Sequence, residues 1–195
     1  MNDDPPDRIL TIPNAITVVR LACIPLFLWL LFSQENRHAA AWLLAALGVT
    51  DWVDGYIARR WNQVSTVGKV LDPTADRLLL GIGVIAILID GDVPVVIGIL
   101  TIVREIVVAA AVLVLAAMGA RRIDVTWTGK AGTFGQMVAY PLFLVSRAGV
   151  NWSHIARGLA WVVIVPALLF AYKAAFEYVP LARRALREGR VSSAM

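Results

Sequence analysis

Long apolar runs alternate with short polar breaks along the chain, and the breaks predict where helices end. The first run, Ala15 to Phe32, follows Pro13 and Asn14, a pair that suits a helix start with Asn14 as cap. SQENRH (33–38) is a polar turn, after which a second helix is expected from Ala39 to about Arg60, apolar only as far as Val49. A short loop, 60–67, leads to a third helix from Gly68 to Asp90, in which Pro73 places Asp72 near a helix start. Gly91 and Asp92 turn the chain into a fourth span, Val93–Met118, and GARRID (119–124) connects it to a fifth, Val125–Val145. A sixth runs from Ile155 to Tyr178, ahead of the basic stretch LARRALREGR. A bilayer core is crossed by roughly 20 apolar helical residues. The pattern therefore predicts an all-α integral membrane protein with six transmembrane helices over 15–178. An N-terminal juxtamembrane segment (1–14) precedes them, and a basic cytoplasmic tail (179–195) follows.

Composition agrees. The chain is 59% hydrophobic and 16% charged, against about 45–50% and 25% in soluble domains. The opening MNDDPPDR is acidic and proline-rich, unlike a cleaved signal peptide, and the lone Cys23 lies in an apolar run as inert packing. Charge placement says more than the net +4. Arg59, Arg60, Lys69, Arg121, Arg122 and the tail arginines fall on one side of the predicted spans, and Arg37, Arg147 and Arg157 on the other. The positive-inside bias then puts both termini in the cytoplasm. The seven tryptophans, Trp127 and Trp152 near span ends among them, read as interfacial anchors, and His38 and His154 fall in outer loops with no chemistry assigned.

One stretch stands apart, DWVDGYIARRWNQVSTVGKVLDPTADR, between two apolar runs. Asp51 and Asp54 are three apart and Asp72 and Asp76 four apart, so on helices each pair shares a face. Two acidic faces that meet need a counter-charge, and hard divalent cations with oxygen ligands supply it. Gly55, Ala58 and Gly68 permit close helix approach or a bulky ligand, and Arg59 offers a planar fork for phosphate. The set points to phosphoryl-type transfer, with one acid free to take a proton from an attacking hydroxyl. The plainer alternative has the acids capping helices and pairing with Arg59, Arg60, Lys69 and Arg77, but four acids in helical register make a costly ornament at a membrane. A cation-coupled transporter would line a path across the bilayer with acids, whereas these cluster at one face. A scaffold protein leaves their register unexplained.

Asp51-x-x-Asp54-Gly55-x-x-Ala58-Arg59, eight residues, then Gly68-x-x-x-Asp72-x-x-x-Asp76 resembles, position for position, the signature of the CDP-alcohol phosphotransferase family. The resemblance implies a multi-pass enzyme of the cell membrane with its active site facing the cytoplasm. It would transfer the phosphatidyl group of CDP-diacylglycerol to an alcohol with release of CMP, using two divalent ions, Mg²⁺ or alternatively Mn²⁺. Carried over by position, Asp51, Asp54, Asp72 and Asp76 hold metal, and Asp76 is also the catalytic base. Asp51, Gly55, Ala58, Arg59 and Gly68 form the CDP site. A homodimer is implied as well, with membrane lipids and no nucleic acid as partners.

IPNAITVVR (12–20), ARRWNQ (58–63), Arg104–Glu105 and GKAGTFGQM (129–137) are similar to the glycerol-phospholipid branch of the family. The acceptor expected is glycerol 3-phosphate, with phosphatidylglycerol as the alternative. Arg104, in mid-span, and Lys130, early in the fifth span, are the acceptor-binding candidates; Glu105, one residue on, is expected to point away from Arg104. Arg20 either snorkels or serves the site, with Asn14 and Thr17 nearby, and Gly129, Gly132 and Gly135 fit a helix-packing face.

Overall fold

The computed structural model describes the backbone of residues 12–61, 68–118 and 126–192; side chains at 12–14, 51–61, 68–74, 76, 77, 116, 179 and 181–192 lie outside the described set. The described residues form six α-helices and no strand: α1 Ile12–Leu28, α2 Arg37–Trp61, α3 Gly68–Ile89, α4 Val95–Ala117, α5 Trp127–Ser146 and α6 Ser153–Ser192. A π-helical turn, Trp29–Ser33, finishes α1. Among the described residues three stretches are long and apolar enough to cross a membrane, Ala15–Ser33, Val95–Leu115 and Ser153–Tyr178, as suits a multi-pass membrane protein. In α3 the apolar stretch is only Leu78–Ile89. The acids of α2 and the Thr, Lys and Gln of α5 dilute those helices in the same way.

Several boundaries differ from the sequence reading. The first helix begins at Ile12, before Asn14, with Pro13 in its first turn, where a missing N–H costs nothing. α3 begins at Gly68 as expected, but this puts Asp72 a turn inside it rather than at a helix start. α6 does not stop near Tyr178 but runs on to Ser192 with Pro166 and Pro180 inside it. His38 and His154 sit in the first turns of α2 and α6, and the Trp42 indole donates to His38 Nε2 at 3.2 Å.

A clamp closes one end of the bundle. Arg37, opening α2, contacts Asp90 at 2.7 Å and Asp92 at 3.0 Å in the α3–α4 turn, and Arg147 after α5 stands 3.9 Å from Asp92. Gly91, at φ +78°, supplies the left-handed residue that this turn needs. Burial pushes the Asp92 carboxyl up to about 6; its hydrogen bond with Asp90 adds to the rise, and the Arg37 charge works against it. Arg37 is itself raised, the two carboxylates outweighing its burial.

Between helices the packing is close. A Cβ on Gly132 would lie 2.8 Å from the Ala171 nitrogen, and one on Gly135 2.6 Å from Ala167 Cβ, so glycine is what lets α5 lie against α6. This is the packing role expected of the glycine face. Thr126 caps α5 by accepting from Gly129 N at 3.2 Å, and Thr128 donates to Glu177 of α6 at 2.6 Å. The main core gathers Phe27, Leu31, Val84, Ile87, Tyr140, Phe143, Leu144 and Ile164 from α1 and its π-helical turn, α3, α5 and α6.

Candidate active site

α1 packs on both α2 and α3. A second apolar cluster, Ile24, Leu47 and Leu79, marks where the three meet. Each member lies one helical turn from a polar candidate: Ile24 four residues after Arg20, Leu47 four before Asp51, Leu79 three after Asp76. Because α2 runs antiparallel to α1 and α3, all three steps lead the same way, toward the end opposite the Arg37 clamp. The backbone thus brings Asp51 and Asp54, near the end of α2, to the level of Asp76 and Asp72, near the start of α3. Gly55, Ala58, Arg59 and Gly68 are on the same two helix ends. The side chains of these motif residues lie outside the described set, so their role stands on helix position and chemistry.

Arg20 is 1% exposed, which rules out snorkelling to an interface; it and the fully buried Thr17, one turn away, both make polar or electrostatic contacts. A buried guanidinium a turn below the Ile24–Leu47–Leu79 cluster puts permanent positive charge beside the acid-bearing helix ends.

Arg104 is 7% exposed. Its Nε donates to the Ala171 carbonyl of α6 at 3.5 Å, and its Nη1 is paired with Glu105. Here the expectation is corrected. Adjacent helical residues diverge by about 100°, yet the long arginine side chain spans that arc, and in an apolar span Glu105 is the anion within reach. Lys130, by contrast, is exposed in the first turns of α5, and no described contact joins it to Arg104.

Two features escaped the sequence reading. Tyr140 donates to Thr101 at 2.5 Å and Thr101 to the Ile97 carbonyl at 3.0 Å, a buried polar link between α5 and α4. Gln136, one turn from Tyr140, is fully buried with neither amide atom hydrogen-bonded among the described residues. A glutamine inside an otherwise apolar helix stretch was the available signal.

A groove of about 630 Å³ lies between α2 and α5, lined by Ala41, Trp42, Ala45, Gly48, Val49, Phe134 and others, all apolar. Trp42 and Trp152 line it at the clamp end, and Gly48 and Val49 lead at the other end straight into Asp51.

Comparison with known proteins identifies the family. Residues 10–172 match the CDP-alcohol phosphatidyltransferase family, which is generally dependent on divalent metal. A Streptomyces coelicolor protein named cardiolipin synthase (CMP-forming) is 36% identical over 187 residues, 93% of this chain and 86% of its own length. A Mycobacterium tuberculosis protein named "Probable phosphatidylglycerophosphate synthase" is 36% identical over 186 residues, covering 93% and 84%. The Rickettsia bellii CDP-diacylglycerol–glycerol-3-phosphate 3-phosphatidyltransferase is 31% identical over 166 residues, covering 83% and 91%. With the motif complete on two helix ends at one level of the bundle, both helices packed on α1, and the match running through five of the six helices into the sixth, this chain is a member of the CDP-alcohol phosphatidyltransferase family.

Proposed function

We propose that the protein transfers the phosphatidyl group of CDP-diacylglycerol to the free headgroup hydroxyl of phosphatidylglycerol, forming cardiolipin and releasing CMP. The carrying observation is the apolar groove between α2 and α5. It offers an acyl chain a path of roughly 16 Å along α5, from Val145 to Phe134 by helical rise, ending beside the acidic helix tip. The diacyl donor needs an acyl path with either acceptor, and the groove favours phosphatidylglycerol as a second path beside the donor's, which a small polar acceptor does not need. Glycerol 3-phosphate is the second reading, favoured by the buried guanidinium of Arg104. Pairing with Glu105 already meets much of that charge, which suits a phosphodiester better than a doubly charged phosphate.

The donor set fits divalent metal. Asp51, Asp54, Asp72 and Asp76 provide oxygen ligands only, in two helical pairs on adjoining helix ends, which matches the preference of Mg²⁺ or Mn²⁺ and of no soft metal. Bound there, two divalent ions would neutralise the diphosphate and orient the attacking and leaving oxygens. The chain's own residues do the rest. Arg59 holds the diphosphate, and Gly55, Ala58 and Gly68 leave room for the nucleotide. Asp76 takes the proton of the acceptor hydroxyl as its oxygen bonds to the phosphatidyl phosphorus. The bond from that phosphorus to the bridging oxygen breaks, and CMP leaves with that oxygen. Arg20, buried on α1, adds fixed positive charge near the reacting phosphates.

In this reading all six helices cross the plasma membrane, with the acidic end in the cytoplasm and the Arg37 clamp outside, and the protein works as a homodimer. The deciding experiment is CMP release from CDP-diacylglycerol with Mg²⁺ by the full-length protein, given phosphatidylglycerol or glycerol 3-phosphate separately. Release with phosphatidylglycerol alone is expected. Release with glycerol 3-phosphate alone would replace the acceptor, and silence with both would remove the glycerol-type reading.

A further inference from the structure

Gln136 is the one side chain named above whose burial has no visible return. It is 0% exposed, and neither its amide nitrogen nor its amide oxygen meets a partner among the described residues. Inside a bundle that excludes water, a primary amide left in that condition is costly, and a native fold keeps one only where something repays it. Helix packing does not need this residue for contact with α6, because Gly132 and Gly135 supply that contact through bare backbone.

Its surroundings specify what it faces. One turn toward the clamp end, Tyr140 reaches across to Thr101 of α4. One turn toward the acid end, Gly132 abuts Ala171, whose carbonyl also receives Arg104 Nε. On α4 itself, Thr101 and Arg104 are a turn apart. Gln136 is therefore bracketed by the two places where α4 side chains cross toward α5 and α6, with Arg104 on its acid-end side. Its depth follows from its neighbour Met137, whose Cβ is 3.6 Å from the Cβ position of Gly48. Gly48 precedes Asp51 by three residues, a rise of roughly 5 Å. The amide thus lies about one turn deeper than the acids, on the face of α5 that it shares with Tyr140 and next to Met137, which lines the α2–α5 groove.

We propose that Gln136 binds the glycerol moiety of the acceptor, its nitrogen donating to one oxygen and its carbonyl accepting from a hydroxyl. The chemistry selects the ligand. A phosphate oxygen accepts but does not donate, so it would leave the carbonyl orphaned, whereas a glycerol moiety carrying a hydroxyl answers both ends of the amide. A neutral amide also adds no charge beside the Arg104–Glu105 pair, so it reads hydroxyl geometry and leaves charge to the arginine. This assignment deepens the acceptor reading above and rests on it.

The test uses full-length protein in nanodiscs, comparing wild type with Gln136→Met, which keeps length and removes both polar ends, and Gln136→Asn, which keeps the amide one carbon back. CMP release is measured while the acceptor and CDP-diacylglycerol are varied in turn, alongside thermal unfolding. For Gln136→Met we expect kcat/KM for the acceptor to fall about 10- to 100-fold, as loss of hydrogen bonds to a buried ligand implies. Its KM for CDP-diacylglycerol stays within about twofold and its unfolding temperature is equal to or above wild type, since an unmet amide has been removed. Gln136→Asn falls between the two. Full acceptor kinetics in Gln136→Met would overturn the assignment, as would a matching loss toward CDP-diacylglycerol or a lowered unfolding temperature, the mark of a structural role. A wild type silent with both acceptors would overturn the acceptor reading and this assignment together, and is distinguished from the other failures because it needs no variant.

Discussion

Replacing Arg37 by methionine removes the cation that holds the α3–α4 turn to the start of α2. In the native protein its guanidinium lies 2.7 Å from Asp90 and 3.0 Å from Asp92, and the Asp92 side chain has no exposed surface. Even with Arg37 present the Asp92 carboxyl is pushed from 3.8 up to about 6, a gap worth roughly 3 kcal/mol. The sign follows from linkage: a carboxyl raised in the folded state stabilises the fold fully below 3.8 and loses that contribution as pH climbs through about 6. Wild type should therefore gain stability as pH falls from 7.5 toward 5. Without Arg37 the ionised Asp92 loses its main compensation. Breaking a buried pair costs about 3–5 kcal/mol, and because the Arg37 side chain is 27% exposed the expected loss is smaller, about 2 kcal/mol at pH 7.5. For a chain of this size that is a drop in unfolding temperature of roughly 4–8 °C. At pH 5, where Asp92 is neutral, its share of the loss should disappear, and in Arg37→Met with Asp92→Asn that share should be absent at every pH, leaving only the lost Asp90 contact. Thermal unfolding in detergent across pH 5 to 7.5 measures all of this. An equal deficit for Arg37→Met at every pH, or no rescue by Asp92→Asn, would refute the electrostatic account and leave Arg37 as a packing residue.

Other expectations are briefer. Asp54→Asn should abolish CMP release while leaving the unfolding temperature within about 2 °C of wild type, since an isosteric change that alters no packing volume costs little; retained turnover would remove the metal reading. Ala45→Trp, which fills the α2–α5 groove, should raise KM for phosphatidylglycerol several-fold and leave glycerol 3-phosphate kinetics, if any, unchanged. Gly132→Val should destabilise by about 1–3 kcal/mol or more, because its side chain meets the Ala171 backbone rather than a movable side chain, and a scan of unfolding temperature reads the effect.

The helix pattern was legible because apolar runs and polar breaks are local properties. The motif was legible because its acids repeat at helical spacing, so Asp51, Asp54, Asp72 and Asp76 could be placed on two helices before any packing was known. What the pattern does not carry is partner choice. Glu105 was discounted because adjacent helical residues diverge, and only the packed bundle shows that Arg104 has no nearer anion among the described residues. Gln136 looked like one polar letter in a glycine-rich segment, and its significance lies in a burial that no one-dimensional reading gives. The span ending at Tyr178 was legible for the same reason, whereas the helix end was not: hydropathy reports where an apolar stretch stops, not where backbone hydrogen bonding stops, and α6 continues into the basic segment.

The bare-backbone contact between α5 and α6 sets an order in time. The Ala171 carbonyl that receives Arg104, and the backbone on which Gly132 rests, belong to α6, which is synthesised after the helices it meets. Until that helix docks, the glycine face of α5 has no backbone to lie against and the buried guanidinium of α4 lacks one of its acceptors. The acidic motif, by contrast, is complete before α4, α5 and α6 are made. A nascent chain thus carries its four acids long before α6 can close the contacts that α4 and α5 make with it.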